Sequence, residues 1–250
     1  MTHSALSEAD RACLGTLARL RVASANQLYR LHYQGVELRS RQRALAQLSR
    51  RRLIRRLDRT IGGVPTGGST PYVYALDVRG QQLLDTTGPS GGKRQRPWLP
   101  SGPYLRHAVL VSECYVLAVE AVEAQGWKLV TFDAEPACWR QCATLPYGWL
   151  KPDAYVVLRS DRYEDSYFIE ADRATQSPTA IARKLAAYRS YYLNHAEQHE
   201  HGVFPKVLFV VPDTARQAVI EAVIKRAAGA PELFAVTTLD GLADYLTGAP

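Results

Sequence analysis

Apolar residues near the start of the chain recur at helical spacing: Leu6, Ala9, Cys13, Leu14, Leu17 and Leu20. Ser7, followed by Glu8 and Asp10, supplies a cap and early acids, so a first helix is expected from there. A second, short helix is expected from Ser24, with Gln27 completing a capping box, through Leu28 to about Leu31. Gly35 interrupts the pattern. A third helix over Leu38 to Arg51 carries Leu38, Leu45 and Leu48 as its buried stripe. Two strands then alternate, Leu53 to Leu57 and Tyr72 to Leu76, around a glycine-rich tip at 61–71. A short helix at Arg79–Leu84 closes the segment. Three helices followed by a β-hairpin is the order of a winged helix-turn-helix, expected over 1–87.

Residues 88–102 are rich in glycine and proline and contain Lys93, Arg94 and Arg96, so they read as a linker. From 103 to 250 the pattern alternates between helix and strand. Helices are expected at Tyr104–Ala124, Pro178–Leu193, Asp213–Ala228 and Leu239–Leu246. Strands are expected at Trp127–Phe132, Asp153–Leu158, Tyr167–Ala171, Lys206–Val211 and Phe234–Thr238. The stretch Asp133–Gly148 has no clear period. This order predicts a mixed α/β sheet covered by helices. There is no internal repeat.

Composition sharpens the picture. Of 250 residues, 46% are hydrophobic and 22% charged, which suits packed domains and excludes a disordered polymer. No apolar run approaches the roughly 18 residues of a membrane span, and the N-terminus lacks a secretory signal, so a soluble, cytoplasmic protein is expected. Four cysteines do not make a disulfide scaffold. The net charge is +7, unevenly spread. Residues 1–100 hold 17 Lys and Arg against 6 acids, whereas 101–250 hold 14 against 18. A basic half joined to a mildly acidic one suggests two modules, one of which meets a polyanion.

The basic charge concentrates between Glu37 and Arg59, where nine arginines stand. In the third helix Arg43, Gln47 and Arg50 fall on one face, opposite Leu45 and Leu48. Arg pairs with guanine edges and phosphates, and Gln with adenine, so this face fits a major groove of double-stranded DNA. The candidate DNA contacts are Arg39, Arg41, Arg43, Gln47, Arg50, Arg51, Arg55 and Arg59. A solvated arginine face on an ordinary small domain is the plainer alternative.

The second half offers acids on strands. Pro152-Asp153 opens an apolar strand, and alternation puts Glu170 and Asp172 on one face of the next. Buried unpaired acids are costly, and a divalent cation relieves them. Oxygen ligands suit Mg²⁺, so Asp153, Glu170 and Asp172 are candidate metal ligands. Such an ion polarises a phosphodiester and generates a hydroxide nucleophile. The pattern resembles a PD-(D/E)xK nuclease core, with Asp153 and Glu170 as its acids. Asp172 stands where that core has its lysine, and Lys184 on the following helix is the substitute. Asp153, Glu170 and Lys184 are thus the candidate catalytic residues, with Glu113 as a further acid. The alternative is structural: Asp153 caps a turn, and Glu170 or Asp172 pairs with Arg173 or Arg183.

Other constellations are weaker. Cys138 and Cys142 with His195, His199 and His201 have a loose zinc spacing. Tyr188, Tyr191 and Tyr192 suggest a nicking nucleophile, but Tyr188 and Tyr192 lie on an apolar stripe that reads as core. Trp98, Trp139 and Trp149 have rings able to stack on bases, or to anchor loops.

Several stretches together resemble the replication-relaxation family of bacterial plasmids and mobile elements. They are Leu6-Ser7-Glu8-Ala9-Asp10-Arg11, Leu17-Ala18-Arg19-Leu20-Arg21-Val22-Ala23, Tyr72-Val73-Tyr74-Ala75-Leu76, Leu105-Arg106-His107, Pro152-Asp153-Ala154-Tyr155, Phe168-Ile169-Glu170-Ala171-Asp172-Arg173 and Phe204-Pro205-Lys206-Val207-Leu208-Phe209-Val210-Val211. The resemblance implies an N-terminal winged helix and a role in plasmid replication, DNA relaxation or mobilisation. It also implies a histidine at His107, which is an accessory candidate at the site. The family pattern continues Gly-Thr-Glu after the Glu-x-Asp-Arg run, and here stands Ala174-Thr175-Gln176, without that glutamate.

Two functions follow from the sequence. The first is a DNA-binding protein of a mobile element whose nuclease-like domain nicks DNA with Mg²⁺. The second is a site-specific regulator of replication or transcription with an inert second domain used for a homodimer or a partner.

Overall fold

The computed structural model describes residues 6–57, 72–87, 101–227 and 229–248, without the side chains of residues 85–87 and 146. Contacts divide the chain into two compact units, Met1–Val116 and Leu117–Pro250.

In the first unit the order is α1 (Glu8–Leu20), β1 (Val22–Ser24), α2 (Ala25–His32), α3 (Leu38–Arg50), β2 (Ile54–Leu57), β3 (Val73–Leu76) and α4 (Val78–Thr87). The local signals work as expected. Ser7 accepts from the Asp10 N–H at the start of α1. Ser24 and Gln27 form both bonds of a capping box on α2. The strand β1 was not evident in the pattern. Its three residues pair antiparallel with β3, giving the sheet order β1-β3-β2. Cys13, Leu14, Leu17, Leu28, Leu45, Leu48 and Ile54 fill the core between helices and sheet.

One expected core residue is misplaced. Leu38 is 56% exposed, because it stands in the first turn of α3, ahead of the turns that Leu45 and Leu48 bury. The hairpin tip at 61–71 lies outside the described residues, as does most of the 88–102 linker. Gly80 lies in α4, where a Cβ would stand only 2.1 Å from the Leu53 carbonyl oxygen.

Helix α5 (Gly102–Gln125) starts at the last residue of the expected linker, and the division between units falls within it rather than at 88–102. The physical reason lies in its first half. Leu105 joins a cluster with Val22, Leu57, Val73 and Ala75, and the Ser112 hydroxyl donates to the Val22 carbonyl at 2.7 Å.

The second unit continues with β4 (Lys128–Ala134), β5 (Arg140–Gln141), β6 (Trp149–Leu150), β7 (Ala154–Arg159), β8 (Glu164–Ala171), α6 (Pro178–Tyr192), α7 (Ala196–His201), β9 (Lys206–Val211), α8 (Thr214–Ala227), β10 (Phe234–Thr238) and α9 (Leu242–Thr247). Its sheet has the order β10-β9-β8-β7-β4. The β4–β7 and β7–β8 pairs are antiparallel, and β8–β9 and β9–β10 are parallel, so the sheet is mixed and the architecture α/β as expected. The unpatterned stretch after β4 contains a small hairpin, β5 with β6. Tyr155, Val157 and Phe168 share one core with Ile181, Leu185 and Tyr188 of α6 and Ile220 and Val223 of α8. Among the described residues no helix is long and apolar enough to cross a membrane.

Candidate functional site

Strand parity builds the site in the second unit. Tyr155 and Phe168 face α6 and α8, so Asp153 and Glu170, each two residues away along its strand, fall on that same face. β7 and β8 are adjacent, and Asp153 Oδ2 accepts the Ala171 N–H at 2.8 Å. Glu170 is 2% exposed. Its Oε1 accepts from the Tyr188 hydroxyl at 2.5 Å, and its Oε2 accepts from Lys184 Nζ. Both donors come from α6, one turn apart, because Ile181, Leu185 and Tyr188 turn that face onto the sheet.

Burial raises the Glu170 carboxyl above the usual carboxylate range, with the Lys184 ammonium working against it. Burial pulls Lys184 down, but the charges of Glu170, Asp153 and Asp172 outweigh it and hold the ammonium above its ordinary value. The cation therefore stays charged at neutral pH. Tyr188 is raised well above its ordinary value by burial and by Glu170, so it is a neutral donor. Of the two tyrosines expected in the core, Tyr188 is buried, with its hydroxyl reaching the site, whereas Tyr192 is half-buried and Tyr191 is buried in its stead.

Asp172 departs from the expected metal set. Arg216 of α8 grips it with Nε at 2.9 Å and Nη2 at 2.8 Å, and also donates to the Gln176 carbonyl. This bidentate pair gives the buried Asp172 carboxylate a charge partner of its own, the role a cation would otherwise fill. Neither Arg173 nor Arg183 is that partner. Asp172 also accepts the Ala174 N–H, which holds the turn after β8. Ala174 has φ of 56°, in the left-handed region. The glycine of the family pattern suits that conformation better.

The structure adds an acid that the sequence did not single out. Glu135, just after β4, brings a carboxylate oxygen within 4.8 Å of one on Asp153. The register pairing Ala134 with Ala154 puts these two residues at the same end of neighbouring strands. Nothing local marked Glu135, since the link is the β4–β7 pairing.

Oxygen donors from Asp153 and Glu135 are of the kind that suits a hard divalent cation, while both Glu170 oxygens accept from side chains of α6. The carboxylates near Asp153 thus have the chemistry to hold a metal ion, and Asp172 is not among them. The zinc constellation is not assembled among the described residues. Cys138 donates to the Pro152 carbonyl at 3.0 Å, and burial pushes its thiol up, away from the thiolate a metal needs. Cys142 lies beside the Thr144 hydroxyl, and Tyr191 donates to Glu197.

In the first unit the candidate DNA contacts fall in different settings. Arg39, Arg43, Gln47 and Arg50 are exposed along α3 while Leu45 and Leu48 are buried. Among the described residues none of these three arginines bonds to a carboxylate. Arg41 is differently placed. Its Nε donates to the Val36 carbonyl, and its guanidinium lies 5.9 Å from the Tyr29 ring centroid, so it anchors the helix start. Arg51 and Arg55 are half-buried, and Arg59 lies outside the described residues. Arg56 on β2 stacks over Tyr72 at 4.2 Å. Glu113, the further acid, accepts from Gln27 at 2.7 Å and pairs with Arg30. His107 on α5 is half-buried, its ring 6.2 Å from that of Tyr104.

Fold and site together define a mixed α/β protein in which two carboxylates on adjacent strands lie beside a lysine of α6. A family model described as replication-relaxation matches residues 14–207. The chain belongs to that family. No curated protein matches it. Among solved structures it is similar to the restriction endonuclease FokI, with TM-score 0.31 and 10% identity, over 97% of this chain and 44% of that one. A structure of FokI bound to DNA gives TM-score 0.30 and 11% identity, over 100% and 47%. The chain therefore spans less than half the length of the FokI chains it matches.

Proposed function

We propose that this protein binds double-stranded DNA through α3, in the manner of a winged helix, and cleaves a phosphodiester bond at the Asp153–Glu170–Lys184 site. The observation that carries the reading is the juxtaposition of Asp153 and Glu170 on adjacent strands with Lys184 on Glu170. A divalent cation there would polarise the phosphate and lower the pKa of a bound water. Asp153 and Glu170, with Glu135 beside them, would hold it. The Lys184 ammonium would offset negative charge that develops on the phosphate oxygens. Asp172 and Arg216 keep the end of β8 in position and take no part in the chemistry.

The test is nicking of supercoiled DNA with Mg²⁺. Asp153→Ala and Glu170→Ala are expected each to lower the rate by about a hundredfold or more. Activity equal to wild type in both variants would remove the assignment. A second reading draws on Glu170, whose two oxygens are both capped by side chains of α6. It makes the second unit an inert scaffold for a homodimer or partner, and a wild-type chain that binds DNA but never nicks it would favour this reading.

The DNA-binding half is tested separately. Arg43→Ala with Arg50→Ala is expected to weaken duplex binding and to flatten the plot of log affinity against log salt by about two, near one per lost phosphate contact. An unchanged slope would show that these arginines meet no phosphate.

A further inference from the structure

The hairpin that precedes the site has a feature the proposed chemistry does not use. Tyr147 is 93% exposed, and it stands at φ of 66° although it is not glycine. Backbone in that region costs a non-glycine residue on the order of 1 kcal/mol. Two residues on, Trp149 is 41% exposed.

The loop that displays these rings is well fixed. Cys142 N donates to the Gly148 carbonyl and Gly148 N to the Leu145 carbonyl, both at 2.9 Å. Cys138, Cys142, Leu145 and Leu150 are buried in the core shared with α6. The Thr144 hydroxyl meets Ser190 of α6 at 3.0 Å. A segment tied down on all these sides still holds an aromatic ring in water.

Its charge points to the occupant. Residues 136–152 contain no acid, within a half of the chain that is net acidic. Their charged groups are Arg140, which pairs with buried Glu197, and Lys151, which is exposed with Nζ 4.4 Å from the Trp139 ring centroid. Exposed rings and an exposed lysine on one acid-free segment are the composition of a nucleobase-stacking platform, since every base offers a π-face and every linkage a phosphate.

The chain also sets the distance. Trp149 is four residues before Asp153, so their Cα atoms are at most about 14 Å apart. That is about four stacked base steps at roughly 3.4 Å each.

We infer that the β5–β6 hairpin binds unpaired nucleotides, with Tyr147 and Trp149 stacking on bases and Lys151 meeting the phosphates next to the site. The inference rests on the reading of the second unit as one that handles DNA. It adds a single-stranded substrate region to that unit.

The experiment is a titration of the full chain against fluorescein-labelled oligo(dT), followed by anisotropy over a range of salt. Tyr147→Ala and Trp149→Ala are each expected to weaken binding about tenfold or more, from about 1–3 kcal/mol of stacking per base. The salt slope should stay as in wild type, because no phosphate contact is removed. Tyr147→Phe keeps the stacking face and should bind within about twofold of wild type. Alanine variants that bind oligo(dT) like wild type would overturn the inference, and so would a phenylalanine variant as weak as the alanine one. Loss of nicking or of duplex binding bears on the proposed function instead, and leaves this measurement standing.

Discussion

A Lys184→Ala chain is expected to lose about 3–5 kcal/mol of stability in the second unit, because Glu170 would remain buried without its cation. Two opposed effects set the size. Drawing both charges out of water has already cost several kcal/mol, which their attraction and the Tyr188 bond offset. Removing only the cation forfeits the attraction and keeps the cost. Urea unfolding followed by circular dichroism would show the midpoint fall. Removing both partners is expected to behave differently. Lys184→Met with Glu170→Leu leaves no orphaned charge, and should recover most of the stability while abolishing any cleavage. If the single variant unfolds with wild-type stability, the pair is not dry and the site is more open than described.

Arg216→Ala is expected to cost a similar amount, about 3–5 kcal/mol, for the same reason at a different acid. Asp172 is buried and takes both bonds of the guanidinium fork, and the Gln176 carbonyl loses its donor as well. Arg216→Lys separates charge from geometry. It keeps a cation but not the planar fork, so it should fall between wild type and alanine. The same urea measurement decides the point. An alanine variant as stable as wild type would mean that Asp172 finds another partner. A lysine variant equal to wild type would mean that charge alone holds the turn.

These two pairs also show what the sequence could reveal. Lys184 could be placed because its phase against Ile181, Leu185 and Tyr188 is a local property of one helix. Asp153 and Glu170 could be placed because strand alternation is equally local. The Ser24–Gln27 cap was legible for the same reason. Arg216 was not, since it lies 44 residues from Asp172 and nothing in either segment announces the other. Glu135 depends on the β4–β7 register, and β1 on its pairing with β3, both long-range. Leu38 misled because an apolar residue at the right phase was still beyond the end of the layer that would cover it. The β5–β6 hairpin has two-residue strands, too short for any alternation to register.

The missing Cβ at Gly80 has a consequence for how the first unit tolerates change. The Leu53 carbonyl that crowds this position also accepts the Asp77 N–H at 3.0 Å, so one oxygen pins the chain where β3 gives way to α4. A methyl group at position 80 would have to displace that oxygen, and Leu53 leads directly into β2, the strand that continues toward the hairpin tip. A substitution in α4 would thus be transmitted along the backbone into β2, without touching a single arginine.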